Sequence, residues 1–147
     1  MLLGLAANRL HHQTEDGALF ALLRACEHGM RELQLDLHVV GRTYDAIAAA
    51  RMLQGYAGLV RYPYGRDGGL MKLVAEVVGM EGPGRTLDGA IYLIDPVDPS
   101  SIFPEALALK RQCVIHGKPF LSTVASARDW VEMERIHAGL PPDPQAD

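Results

Sequence analysis

Nine residues, Arg61-Tyr62-Pro63-Tyr64-Gly65-Arg66-Asp67-Gly68-Gly69, place two guanidinium groups, one carboxylate and three glycines between an apolar run and a helix-periodic run. Strand, glycine-rich turn and helix in that order set backbone N–H groups at a helix N-terminus, where partial positive charge favours an anion. Glycine lets the backbone approach a ligand and take positive φ. Arginine adds bidentate recognition of phosphate or carboxylate. Asp67 is the odd member of the loop. It either caps the following helix or stands as a carboxylate beside whatever the arginines hold.

The elements that must position this loop follow from hydrophobic periodicity. Residues 1–7 predict a short buried strand ending at Asn8-Arg9-Leu10-His11-His12. Thr14-Glu15-Asp16 supplies caps for a helix whose apolar face is Leu19, Leu22, Leu23, Cys26 and Met30. Residues 34–40 predict a second strand running into Gly41-Arg42-Thr43, and residues 43–54 a second helix stopped by Gly55. A third strand is expected at residues 57–60 and a third helix at 68–78, with residues 79–86 a connection. The fourth strand, residues 89–94, ends at Asp95-Pro96-Val97-Asp98-Pro99-Ser100-Ser101. A helix from Pro104 to Ile115, a strand at 118–124 and a helix at 126–137 complete the domain, residues 1–138. The proline-rich tail that follows, within residues 139–147, lacks core-forming residues at its end and is expected to be disordered.

Five apolar strands alternating with helices predict an α/β fold, a five-stranded parallel sheet with helices on both faces in a Rossmann-type three-layer arrangement. Ligands of such sheets bind beyond the carboxyl ends of the strands, where strand order reverses. The residues leaving those ends are Asn8 and Arg9, Gly41 to Thr43, the loop from Arg61 to Gly69, Asp95 to Ser101, and Ser122 and Thr123. Arginines gathered at one crevice need a counter-charge. A ligand can supply it, or Asp36, Asp45 or a neighbouring subunit can. His11 and His12 could join an anion site or be surface residues.

Composition narrows the classes. A net charge of −4 with 22% charged residues has no basic excess for nucleic acid. No run reaches the roughly 18–20 apolar residues of a membrane helix. The apolar N-terminus has no basic leader and is expected to be a strand and not a signal peptide. Cys26 and Cys113 fall among apolar residues of predicted helices, which points to buried thiols and a cytoplasmic setting. No third ligand stands near His11-His12 at metal-binding spacing, so neither metal nor cofactor is expected.

In motif order and spacing the chain resembles the methylglyoxal synthase family and the related ligand-binding domains of carbamoyl phosphate synthetase and the purine-pathway cyclohydrolase. The likeness spans about residues 2–129. The third-strand loop keeps Pro63, Gly65 and Asp67 in register with the family's Ser-Gly-Pro-x-Gly-Gly-Asp-Gln. The fourth-strand loop keeps Asp95-Pro96 and Pro104 of Asp-Pro-x5-His-x-Pro-Asp, with Glu105 standing for the second Asp. Residues 117–123 fit the family's closing strand. This resemblance implies a lyase that removes a proton from dihydroxyacetone phosphate, forms an enediolate and expels phosphate to leave methylglyoxal. It implies Asp67 as general base, with Asp95 a second carboxylate near it and Glu105 a third.

The family's carbonyl-polarising His aligns with Ile102, which has nothing to donate. Its phosphate cradle of Thr, Gly and Ser survives only as Gly41 and Thr43, with Arg42 and Arg61 in place of small neutral residues. The first loop's His, Asp and Lys align with Ala7, Asn8 and His11. Losing one preorganised donor to a developing oxyanion costs about 10²–10³ in rate. The alternative is a non-catalytic regulatory domain that binds a phosphorylated metabolite or another anion and reports it through a partner or a homo-oligomer. Under either reading Asn8, Arg9, His11, Gly41, Arg42, Thr43, Arg61, Gly65 and Arg66 are the expected anion-binding residues, and Arg42, Arg61 and Arg66 are expected to converge beside Asp67.

Overall fold

The N-terminal apolar run forms β1 (Leu2–Ala7), buried along its first five residues because it is the central strand. In the computed structural model, which describes residues 1–79 and 85–142, five parallel strands stand in the order β3-β2-β1-β4-β5. The others are β2 (Asp36–Val39), β3 (Leu59–Arg61), β4 (Gly89–Leu93) and β5 (Phe120–Leu121). The chain steps from β1 outward to β3, then returns to the other side of β1 for β4. Strand order therefore reverses between β1 and β4, and a crevice opens beyond their carboxyl ends. Residues 80–84 of the expected connection and 143–147 of the expected tail lie outside the described residues.

Alternation along β1 divides the core in two. Leu3 and Leu5 face a cluster with Leu22 and Cys26 of α1 (Ala18–Glu32), Ile47 of α2 (Gly41–Ala49) and Val131 of α5 (Val124–His137). Leu2 and Ala6 face Leu73 and Val77 of α3 (Gly69–Val78) and Leu109 and Cys113 of α4 (Pro104–Ile115). Both cysteines are free and buried, and burial pushes each thiol from 9.0 up to about 11.

Several boundaries move for local reasons. α1 is capped by Gly17 without a side-chain bond, and not by Thr14-Glu15-Asp16. A Cβ at Gly17 would lie 2.2 Å from the His11 carbonyl oxygen, so the chain turns tightly there, after a 3₁₀ turn over Arg9–His12. α2 begins at Gly41 and ends before Arg51 and Leu53, which take φ of 57° and 51°, so Gly55 is not its stop. β3 is displaced toward Arg61, and β5 shrinks to two residues. α5 starts two residues earlier than expected because Thr123 and Ser126 form a reciprocal capping box. α4 matches its expected span, with Pro104 in the first turn.

One polar cluster is sealed under α3. His38 Nδ1 lies 2.8 Å from Glu76 Oε2 and 2.6 Å from the Tyr62 hydroxyl, and Lys72 Nζ sits 4.5 Å from the centre of the Tyr62 ring. Glu76 and Tyr62 are both buried.

Candidate functional site

A cavity of about 300 Å³ occupies the crevice at the switch point, walled by the ends of β1 and β4, the start of α2, the loop after β3 and the start of α4. Asn8 holds the two central strand ends together. Its backbone N–H donates to the Leu93 carbonyl at 2.9 Å, and its Oδ1 accepts from the Asp95 N–H at 2.8 Å. Its Nδ2 donates to the Tyr92 and Ser100 hydroxyls, each at 3.3 Å. A buried amide with these bonds is satisfied, and it fixes the chain's departure from β4.

Beyond that departure the chain makes a 3₁₀ turn over Pro99–Ile102, capped by Asp98. Asp98 Oδ1 accepts from the Ser100 N–H at 2.9 Å and from its hydroxyl at 2.8 Å, and these bonds lower the Asp98 pKa. Burial pushes the Tyr92 phenol above 10.0, and the charges of Asp98 and Glu105 act in the same direction. The Tyr92 O–H meets no acceptor among the described residues.

On the facing wall, the buried Thr43 hydroxyl accepts from the Ala7 N–H at 3.0 Å and ties α2 to the end of β1. The first-turn N–H groups of Arg42 and Thr43 meet no protein acceptor among the described residues. Tyr64 carries a guanidinium 5.4 Å from its ring centre twice over, from Arg42 and from Arg61. The loop bearing Tyr64, Gly65 and Arg66 closes on Gly68, with φ of 103°, and on Gly69, where a Cβ would lie 2.0 Å from the Pro63 carbonyl oxygen. That close approach needs glycine.

Of the residues expected at the site, Asn8, Arg42, Thr43, Gly65, Arg66 and Glu105 line the cavity. Gly41 sits just behind the wall, and its N–H donates to the Pro63 carbonyl. The remaining five lie off the wall. Arg61 is engaged by Asp45 through two bonds of 2.9 and 3.0 Å at the surface, and this pairing lowers the Asp45 pKa. Asp67 is exposed in the 3₁₀ turn and does not cap α3, whose N-cap is Gly68. Asp95 is turned back on its own loop, its Oδ1 accepting from the Val97 N–H at 3.1 Å. His11 donates from Nε2 to the Ile94 carbonyl at 2.8 Å in the tautomer that bond requires. Arg9 is exposed. His12 beside it has a lowered pKa, chiefly from burial, with Arg42 and Arg9 adding repulsion.

Arg42 and Arg66 have no carboxylate within salt-bridge distance among the described residues, and neither does Glu105 have a basic partner there. Among those residues no group of three or more His, Cys, Asp or Glu is placed to hold a metal ion. Ser100 lies in the strand-end loop Asp95 to Ser101 that the sequence nominated, whereas Tyr92 and Phe103 were not among the expected site residues. The signal for Tyr92 was available: it lies two residues after Ala90, on the α3 and α4 side at the carboxyl end of a central strand.

The reversal point and the layer order define a methylglyoxal synthase-like α/β fold. The chain is similar to the solved crystal structure of methylglyoxal synthase from Elizabethkingia anophelis NUHP1, with a TM-score of 0.64, covering 88% of this chain and 76% of that one. Sequence identity is 20%, so the likeness carries the fold alone. No family model matches the sequence, and no curated protein matches it. Among the described residues no helix is long and apolar enough to cross a membrane.

Proposed function

We propose that the switch-point cavity binds a small anionic metabolite bearing a phosphate or carboxylate group. The observation that carries this reading is the pair Arg42 and Arg66 in the cavity wall, unpaired with any carboxylate among the described residues. The open N–H groups of Arg42 and Thr43 add donors at the same wall. Guanidinium and helix-terminal N–H groups together suit an oxyanion. A thermal-shift series with inorganic phosphate and phosphorylated metabolites tests it. Ligand at 100 times its dissociation constant stabilises by about 2.7 kcal/mol. No shift with any anion overturns the reading. It takes residues 1–138 as the working domain, in a cytoplasmic homo-oligomer whose subunit contacts would report occupancy, which sedimentation with and without phosphate tests.

A second reading is a methylglyoxal synthase-like lyase, favoured by Glu105, a carboxylate in the cavity wall. In that reading Glu105 takes the proton that the family resemblance assigned to Asp67, because a base must reach its proton within hydrogen-bond distance or through one water. Phosphate release from dihydroxyacetone phosphate, with Glu105→Gln and Asp67→Asn side by side, decides it. Background release by the wild type overturns the lyase and leaves the binding reading standing. Loss of release in Asp67→Asn alone restores Asp67 as the base.

A further inference from the structure

The inner wall of the cavity says more about the ligand than its rim. Ala6, Val40, Leu70, Tyr64, Tyr92 and Phe103 supply mostly apolar atoms. The polar groups interleaved with them are largely committed already. Both ends of the Asn8 amide are bonded, and the Ser100 hydroxyl accepts from Asn8 while donating to Asp98. Apart from Arg42 and Arg66, that leaves the Tyr92 O–H as a side-chain donor in the wall and the Glu105 carboxylate as an acceptor, the Thr43 hydroxyl being fully buried. A hydroxyl-rich ligand would give up its hydration for too few partners, and an unpaired hydroxyl in apolar surroundings is costly. Glu105, in the same wall, also repels a second anionic group brought beside it. A volume near 300 Å³ is at the small end for ligand sites, enough for a ring-sized body.

We infer that the ligand is a single-headed anion with a compact apolar body, an aryl or branched-alkyl phosphate or carboxylate, and not a polyhydroxylated sugar phosphate. This rests on the anion-binding reading above and deepens it. The anionic head lies at Arg42, Arg66 and the start of α2. The body lies against Val40, Leu70 and Phe103.

Calorimetry on the full chain with three probes tests it: inorganic phosphate, glycerol 3-phosphate and phenyl phosphate. The last two carry the same monoester head on a polyol and on an aryl body. Phenyl phosphate is expected to bind about tenfold tighter or more, the scale on which an apolar pocket discriminates. Phe103→Ser is expected to narrow that ratio severalfold. Residue 103 is the N-cap of α4, where Ser is a favoured residue, so the variant keeps the helix. Arg42→Ala is expected to weaken all three probes together. If none of the three binds, the anion-binding reading itself falls. If glycerol 3-phosphate binds as tightly as phenyl phosphate or tighter, the apolar-body inference falls and the anion site stands. A phenyl preference untouched by Phe103→Ser overturns the placement of the body in this cavity.

Discussion

Two polar clusters, one under α3 and one at the carboxyl ends of the central strands, differ in what is left over. Under α3, His38 Nδ1 is met by both the Glu76 carboxylate and the Tyr62 hydroxyl, while a lysine covers the Tyr62 ring. At the β1 and β4 ends, Asn8, Ser100 and Asp98 satisfy one another, but Tyr92, Arg42, Arg66 and Glu105 keep unused capacity in the wall of a cavity. Each place holds a tyrosine, a glutamate and a basic side chain. Buried polar groups whose partners are all protein hold a fold together, whereas groups with donors and acceptors to spare at a cavity wall can hold a ligand.

The largest effect that sharpens the contrast is on binding. Arg42→Ala is expected to weaken phosphate-bearing ligands by about tenfold or more, since hydrogen bonds to charged groups contribute roughly 1.5–3 kcal/mol. Urea unfolding of the unliganded variant is expected to match wild type. If Arg42→Ala instead destabilises the free protein and leaves affinity unchanged, the open cluster is structural after all. Glu76→Ala should behave in the opposite way. It leaves His38 short of a buried partner and should cost about 1–3 kcal/mol of stability, read by the urea midpoint, while the folded fraction keeps its affinity.

A smaller effect follows from Tyr92, whose buried phenol is held neutral and whose folded pKa lies above 10.0. A raised folded value means that this stabilisation is complete below pH 10 and is lost as pH rises through the folded pKa. Cys26 and Cys113, raised from 9.0 to about 11, act in the same direction. Comparing wild type with Tyr92→Phe isolates the tyrosine: the variant should lose less stability above pH 10. Coincident alkaline profiles would show that Tyr92 is free to ionise. The smallest change is expected from Arg61→Ala. Its pair with Asp45 is exposed on both sides, at 42% and 49%, and such pairs contribute about 0–1 kcal/mol. A tenfold loss of affinity in this variant would return Arg61 to the site.

Much of the architecture was legible because periodicity is local. Leu19, Leu22, Leu23, Cys26 and Met30 do form the buried face of α1, and Pro104 does open α4. The short edge elements were less legible. β5 pairs through two residues where seven read as strand, because strand length is set by what the neighbour offers and not by the residues alone. Gly41-Arg42-Thr43 read as a loop and is the first turn of α2, since Gly41 is pinned by the Pro63 carbonyl, which is distant in sequence.

By itself the sequence determined the alternation of strands and helices, the parallel sheet that alternation requires, and the set of loops that gather at one end of it. Those follow from interactions within a few residues and from burial of apolar runs. Only the tertiary structure decided which charges in those loops face inward. Arg61 could have met a ligand or Asp45, and Asp45, sixteen residues back but near in space, takes it. Asp67 could have capped α3, and the left-handed turn at Gly68 leaves it in solvent. Long side chains reach several ångströms in many rotamers, so their partners are selected by whatever packing brings within range, and residue type and spacing carry no record of that choice.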